Sequence, residues 1–318
     1  MKVRILVLVS LLMTGTLFAQ QDWSKVDFTK EYKGKVKMNK ASVQSLQENK
    51  TFVNGYTISQ ATVMKGSEQS ATKAVYSEVA LAGINNDDFQ QMVDDLYKEF
   101  MLDLADAGMK PTEGDDVLAT EFVKAKLAKA KKDEYIGSTG DSPAYEGKKK
   151  IQDGSIPGYG AGAVIRDVSF PARNKNIYQT SNILKSGNFY LKLATGEGYN
   201  LLGINFYITF ASFDGGKGYK DIKLSTQPVM AVSATISLVN ASGGSCWVTY
   251  DKLPVWASAD WSEGMDKGKD NQSDAEFLGL ARSAEYEITA NSDKYLAEAR
   301  AIISNLQKDI VKLISSEF

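Results

Sequence analysis

Leu201-Leu202-Gly203-Ile204-Asn205-Phe206-Tyr207-Ile208-Thr209-Phe210-Ala211-Ser212-Phe213 is the stretch that decides the fold. Aromatic and β-branched side chains dominate it and no proline interrupts it, which predicts a long strand deep in a sheet. Its partner follows in residues 230–238, where Met230, Val232, Ala234, Ile236 and Leu238 alternate with Ala231, Ser233, Thr235 and Ser237. That period of two is the mark of a strand with one buried face. Asn240-Ala241-Ser242-Gly243-Gly244 reads as a turn and residues 246–250 as the return strand, together a hairpin with a glycine-bearing loop. Upstream, residues 189–193 also alternate and are expected to be a strand. Asp214-Gly215-Gly216-Lys217-Gly218 is expected to be a turn.

Further from this centre the period changes. Val75, Ser77, Val79 and Leu81 alternate as a strand that Gly83 ends, and Asn85, Asn86 and Asp87 offer helix caps. Phe89, Met92, Val93, Leu96, Phe100 and Leu104 then fall at helical spacing. Asp94, Asp95, Glu99, Asp103 and Asp106 lie between them, on a face expected to be solvated. Gly108 and Pro111 close that helix. Residues 115–135 predict a second helix, with Val117, Leu118, Phe122, Val123 and Leu127 as its stripe and lysines at its end. Residues 137–162, rich in Gly, Ser and Pro, read as a flexible insertion, and residues 262–274 as a polar loop. Tyr295, Ala299, Ile302, Ile303, Leu306, Ile310, Leu313 and Ile314 line one face of a closing helix. The expected class is α+β: a mixed, largely antiparallel sheet with amphipathic helices packed on one face and a C-terminal helix. Residues 73–318 are expected to form a single elaborated domain, preceded by a lead-in over residues 20–72 in which residues 41–64 are ambiguous.

Residues 1–19 carry Lys2 and Arg4, an apolar run over residues 5–13 and Ala19, the order of an export signal cut after Ala19. No Cys follows the run, so a lipoprotein is not expected. The expected location is the periplasm or the outer membrane surface. The chain has no histidine, which removes Ser-His-Asp and Cys-His catalysis and the usual His-ligated metal sites. Its one cysteine, Cys246, sits in an expected strand and reads as a small buried hydrophobe. With 37 Lys+Arg against 39 Asp+Glu the net charge is −2, which argues against nucleic acid as a partner. Asp266, Asp270 and Asp274 are too widely spaced for a calcium loop. Gly158-Tyr159-Gly160-Ala161-Gly162 lacks the spacing of a phosphate-binding loop. No cofactor, no metal and no membrane-spanning helix in the mature chain are expected.

Three stretches carry a family resemblance. They are the strand–helix–Gly unit over residues 75–108, ending Leu104-Ala105-Asp106-Ala107-Gly108; the hairpin over residues 232–250, around Leu238-Val239-Asn240-Ala241-Ser242-Gly243-Gly244; and the closing helix over residues 295–314. In these the chain resembles the exported βα domains of envelope proteins such as the curli secretion channel family and the amino-terminal domain of TolB-like proteins. The resemblance implies a periplasm-facing domain that makes protein contacts and is not catalytic. Pore formation is not implied, because residues 137–162 lack the alternation of a membrane-crossing hairpin.

The expected function is therefore a non-catalytic cell-envelope protein that works through contacts with other envelope proteins, with homo-oligomerisation open. Trp256, Trp261 and Tyr159 are the candidate binding aromatics, expected in exposed loops. The alternative is a glycan- or small-ligand-binding module built on Trp247, Trp256 and Trp261 beside Asp260 and Glu263. The second alternative is a hydrolase using two carboxylates drawn from Asp214, Asp221, Asp260 and Glu263.

Overall fold

A computed structural model describes residues 40–69, 74–128, 145–147, 162–173, 189–217, 222–249, 255–257, 259–267 and 281–315. The sheet is assembled on β1 (Lys50–Gln69), a strand that uses both of its edges along most of its length. One edge takes β6 (Tyr199–Lys217) in parallel over residues 50–60 and then β2 (Ala74–Ala82) antiparallel over residues 63–69. The opposite edge takes β3 (Lys110–Thr112) and then β5 (Gly162–Pro171). From β6 the sheet continues through β7 (Ile222–Val239) to β8 (Ser245–Thr249) and β9 (Val255–Ala257). From β2 it continues through β11 (Ala281–Ala290) to β10 (Ser262–Lys267), and β4 (Tyr145–Gly147) borders β5. The architecture is α+β, with a mixed and mostly antiparallel sheet.

Six helices accompany it among the described residues: α1 (Lys40–Glu48), α2 (Asn86–Asp106), α3 (Gly114–Leu118), α4 (Glu121–Leu127), α5 (Phe189–Glu197) and α6 (Ser292–Ser315). The strand period decides where they pack. Consecutive strand residues point to opposite faces. Val53 and Leu202 feed the main core beneath α2 and α6, whereas their neighbours Phe52 and Leu201 feed a smaller second core with Val117, Val123, Phe189 and Leu193 from α3, α4 and α5. In the main core Tyr56 of β1 meets Tyr97 and Phe100 of α2 and Phe206 of β6 at ring-centroid distances of 5.7, 5.7 and 5.8 Å. Its hydroxyl donates to Gln307 Oε1 of α6 at 3.0 Å. Each large apolar side chain taken from water at such positions contributes about 1.5–3 kcal/mol.

The long hairpin of β6 and β7 then folds over the far halves of β1 and β2. Gly66 of β1 lies against the Phe213 ring, where a Cβ would overlap it. Ser77 Oγ of β2 lies 2.8 Å from Thr226 Oγ1 of β7. The β7–β8 turn closes through Asn240, whose N–H donates to Gly244 O at 2.8 Å, with Gly243 at φ +87°. Buried Asn200 ties the start of β6 to α1: its Nδ2 donates to Ser45 O at 2.7 Å, and its Oδ1 accepts from Ser45 Oγ at 2.7 Å.

Several expectations need correction. The domain does not begin at residue 73: residues 40–69 of the expected lead-in are α1 and the central strand β1. Residues 189–193 are helical, because Phe189 and Leu193 form a buried i,i+4 pair while Leu191 is 41% exposed. Residues 129–135 lie outside the described residues, and over the described ones the helix expected at 115–135 is two short helices, α3 and α4. Between them Thr120 caps α4, accepting from Val123 N at 3.3 Å, and also donates to Val117 O at 2.9 Å. Residues 214–217 are not a turn but continue β6 in register with residues 222–225 of β7. Residues 262–267 are not loop but the edge strand β10. The insertion expected at 137–162 lies outside the described residues except for β4 and the first residue of β5.

Candidate functional site

Two features of the surface are built well enough to bind something. The first is the face of β1, β6 and β7 that turns away from α2 and α6. Leu202, Ile204, Phe206 and Ile208 enter the main core, so alternation turns Gly203, Asn205, Tyr207 and Thr209 to the other face, where Gly203 and Asn205 are partly accessible and Tyr207 and Thr209 are buried. Register then sets Gly55, Thr57 and Ser59 of β1 on one side of that row. On the other side it sets Ser237, Thr235 and Ser233 of β7. The result is a plane of hydroxyls and amides on three adjacent strands with no formal charge among these positions. Thr57, Asn205, Ser233, Thr235 and Ser237 are partly accessible. At one end Ser59 Oγ meets Ser169 Oγ at 2.8 Å, and Tyr207 lies beside Asp167. Burial, and then the Asp167 charge, push the Tyr207 hydroxyl far above its ordinary pKa, so it stays protonated and serves as a donor. At the other end Tyr190 hydrogen-bonds Asn54, and burial again raises its pKa.

The second feature is the edge where β2 and β11 end. These strands run parallel, with Ala82 opposite Thr289, and each turns directly into a helix. Gly83 is required there. Its φ is +87°, and a Cβ would collide with the Ala290 carbonyl oxygen. Asn85 caps α2, accepting from Asp87 N at 3.0 Å, and Asn291 caps α6, accepting from Lys294 N at 3.2 Å. Asn85 N donates to Ser292 Oγ at 3.1 Å, so the two helix starts are stitched side by side. Crevices beyond the carboxyl ends of parallel strands are common ligand sites, and a cavity flanks each helix start. One, of about 380 Å³, is lined by Gln60, Thr62, Arg166 and Asp167 with Ala82 and Asn86. The other, of about 710 Å³, is a cleft lined by Asp260, Trp261, Ser262, Lys294 and Glu298.

The acidic row of α2 does structural work that the expectation of a solvated face missed. Asp94 accepts from Arg173 Nε at 2.7 Å, Asp95 and Glu99 pair with Arg300 of α6, and Asp103 accepts from Gln307 Nε2 at 3.4 Å. Partial burial raises the Asp103 pKa above its ordinary value despite the opposing Lys308 charge and the Gln307 bond. Burial would raise Asp95 too, but hydrogen bonds from Gln91 and Lys98 and the charges of Lys98 and Arg300 bring it below its ordinary value.

The candidate aromatics are not brought together as an exposed set. Trp261 is a correction: it is 1% exposed, its indole standing edge-on to Tyr295 at 5.2 Å in the main core. Apolar burial against α6 outweighs its polar flanks, Asp260 and Ser262. Trp256 is in β9, opposite Ala231 in register, and Trp247 is in β8, opposite Ser237, so both are strand residues. Cys246 is likewise in β8, opposite Leu238. Tyr159 lies outside the described residues. Of the candidate acids, Asp214 and Glu263 are exposed and do not line either cavity. Glu263 accepts from Asn291 Nδ2 at 3.1 Å. Asp260 shares its cleft with Glu298 of α6, which the sequence did not single out, and Asp221 lies outside the described residues. The signal for Gln60 and Asp167 was absent from the sequence, because an irregular register brings them to one cavity. Among the described residues there is no cluster of three or more metal-ligating side chains, and no helix is long and apolar enough to cross a membrane. In comparisons with known proteins the chain matches no protein family, no curated protein and no solved structure.

Proposed function

We propose that this chain is an exported cell-envelope protein that acts through protein–protein contact, without catalysis, and that the contact surface is the neutral face of β1, β6 and β7. One observation carries the reading. On three adjacent strands the side chains facing away from α2 and α6 are small hydroxyls and amides, partly accessible around Asn205 and Thr235. A face of this kind offers donors and acceptors to a partner without the desolvation cost of buried charge. Asp94, Asp95 and Glu99 of α2 and Arg300 of α6, by contrast, are engaged in holding the two helices together and α2 to Arg173 just beyond β5. Export rests on the leader, and the partner class on the resemblance described above.

The test is site-specific photocrosslinking in intact cells, with the reactive residue placed at Asn205, at Thr235 or, as a control, at exposed Lys124 on α4. Adducts of one defined size from Asn205 and Thr235 and none from Lys124, in the envelope fraction, are the expected result. Uniform labelling from all three positions, or none from the sheet face, would overturn it. Recovery of the protein from the cytoplasm with its leader intact would overturn the exported location.

A further inference from the structure

The neutral sheet face does not end at β7. Residues directly opposite each other in an antiparallel pair share a face. Ser237 and Thr235 of β7 therefore extend it to Trp247 and Thr249 of β8, and Ala231 extends it to Trp256 of β9. The other phase of β7 agrees: Val232, Ile236 and Leu238 are core residues, and they pair with Val255, Val248 and Cys246. Two of the chain's four tryptophans thus hold positions on one face at one border of the sheet. Among the described residues no further strand pairs beyond β8 or β9. The two tryptophans are not neighbours. Their β7 partners, Ser237 and Ala231, are separated by roughly 20 Å of extended strand. Ser233 and Thr235 lie on the same face between those partners, and both are partly accessible.

This composition selects a ligand class. No formal charge lies at these positions, so a charged polymer has nothing to pair with, and a nucleic-acid strand lacks the basic groove it needs. A purely apolar segment would leave the hydroxyls of Ser233, Thr235 and Ser237 without partners. A sugar chain presents both kinds of surface. Its hydroxyl rim donates and accepts hydrogen bonds, and its C–H faces stack on the electron-rich face of an indole. Tryptophan positions at two ends with hydroxyl residues between them suit an extended chain of several sugars better than a single ring.

We infer that the β7–β9 side of this face binds an uncharged oligosaccharide, with one sugar ring seated at Trp247 and another at Trp256. The inference goes beyond the protein contact proposed above and shares only the β7 row with it. The two fail separately, because sugar binding is measured on the purified chain and the contact by crosslinks in cells.

Titration calorimetry and thermal melts on the purified chain test it. The probes are cellotetraose, maltotetraose and N-acetylchitotetraose, each beside its monosaccharide. Tetragalacturonate represents a charged glycan, and a proline-rich peptide represents the other common ligand of aromatic-lined surfaces. At least one neutral tetrasaccharide should bind, about tenfold or more tightly than its monosaccharide, and raise Tm by roughly 3 °C at ten times its Kd. Trp247→Ala and Trp256→Ala should each weaken that binding by about tenfold or more, the range for losing an aromatic stacking partner. Ser233→Lys sets a charge between the two ends at a partly accessible position, and should weaken binding while the unliganded Tm stays within about 3 °C of native. It keeps the test open should a tryptophan variant fold poorly. The inference is overturned if no neutral saccharide gives heat or shifts Tm. It is equally overturned if tetragalacturonate or the peptide binds as tightly as the best neutral saccharide, or if the folded variants bind as the native chain does.

Discussion

Tyr56→Phe removes one oxygen from the centre of the main core, and its consequence can be worked out. The Tyr56 ring is fully buried among Tyr97, Phe100 and Phe206, and phenylalanine keeps that packing. The hydroxyl that is lost donates to Gln307 Oε1 at 3.0 Å, and Gln307 is itself fully buried. The net value of such a bond is about 1 kcal/mol, but an orphaned buried acceptor costs about 1–3 kcal/mol. Tyr56→Phe should therefore destabilise by about 2 kcal/mol, and Gln307→Leu by at least as much, because it orphans the Tyr56 hydroxyl and also removes the Gln307 Nε2 bond to Asp103. The double variant replaces both partners with apolar groups, so its loss should be well below the sum, with a coupling of about 1–2 kcal/mol. Urea denaturation of the four proteins, with m-values checked for constancy, measures the cycle. Losses that add to within about 0.5 kcal/mol would refute the pairing and with it the docking of α6 onto β1.

Other consequences are equally direct. Gly83 and Gly108 share a positive φ, +87° and +81°, but only Gly83 has backbone in the path of a Cβ. Gly108→Ala should cost about 1 kcal/mol and Gly83→Ala at least about 1 kcal/mol more, read from paired melts; equal costs would contradict the close approach of Gly83 to Ala290. Trp261→Ala should cost about 3–5 kcal/mol as a core deletion, and a change within about 0.5 kcal/mol would return Trp261 to the surface. Asp103 has a raised folded-state pKa, so the folded chain holds that proton to higher pH than the unfolded chain does. Its contribution to stability is fully present below the ordinary carboxylate range, about pH 4, and is lost as pH rises through the folded value. Asp103→Asn should remove that fall, so its Tm relative to the native chain should improve between about pH 3 and 7; a gap that does not change with pH would contradict the sign.

The regular parts of the fold were readable because local chemistry and tertiary position agree in them. β6 is apolar and β-branched where it is buried, α2 has its Asn85 cap and apolar stripe, and α6 has a wide stripe that covers β-sheet. β1 was not readable, although the sheet is built on it. Its alternation is broken by a bulge at Val53/Gly55 and irregular pairing near Ala61 and Val63, and it carries buried Thr51, Ser59 and Gln60. α5 misled because Leu191 sits between Phe189 and Leu193 and imitates a strand, while the buried pair is four residues apart. β10 misled because an edge strand with Glu263, Asp266 and Lys267 has the composition of a loop, a common way to blunt an edge. Trp261 was misplaced because its polar neighbours in sequence say nothing of Tyr295, which reaches it from α6. The cavity residues Gln60 and Asp167 are a product of register, which spacing along the chain does not encode.

The contact surface on β6 and β7 is the claim on which the functional reading depends, and size measurement on gently solubilised envelope tests it most directly. The native chain should elute in a complex larger than the monomer. A variant carrying Asn205→Lys and Thr235→Lys, folded to within about 3 °C of the native Tm, should elute as the monomer, because two unpaired charges would have to be desolvated at the interface. Native and variant chains eluting identically would contradict the account.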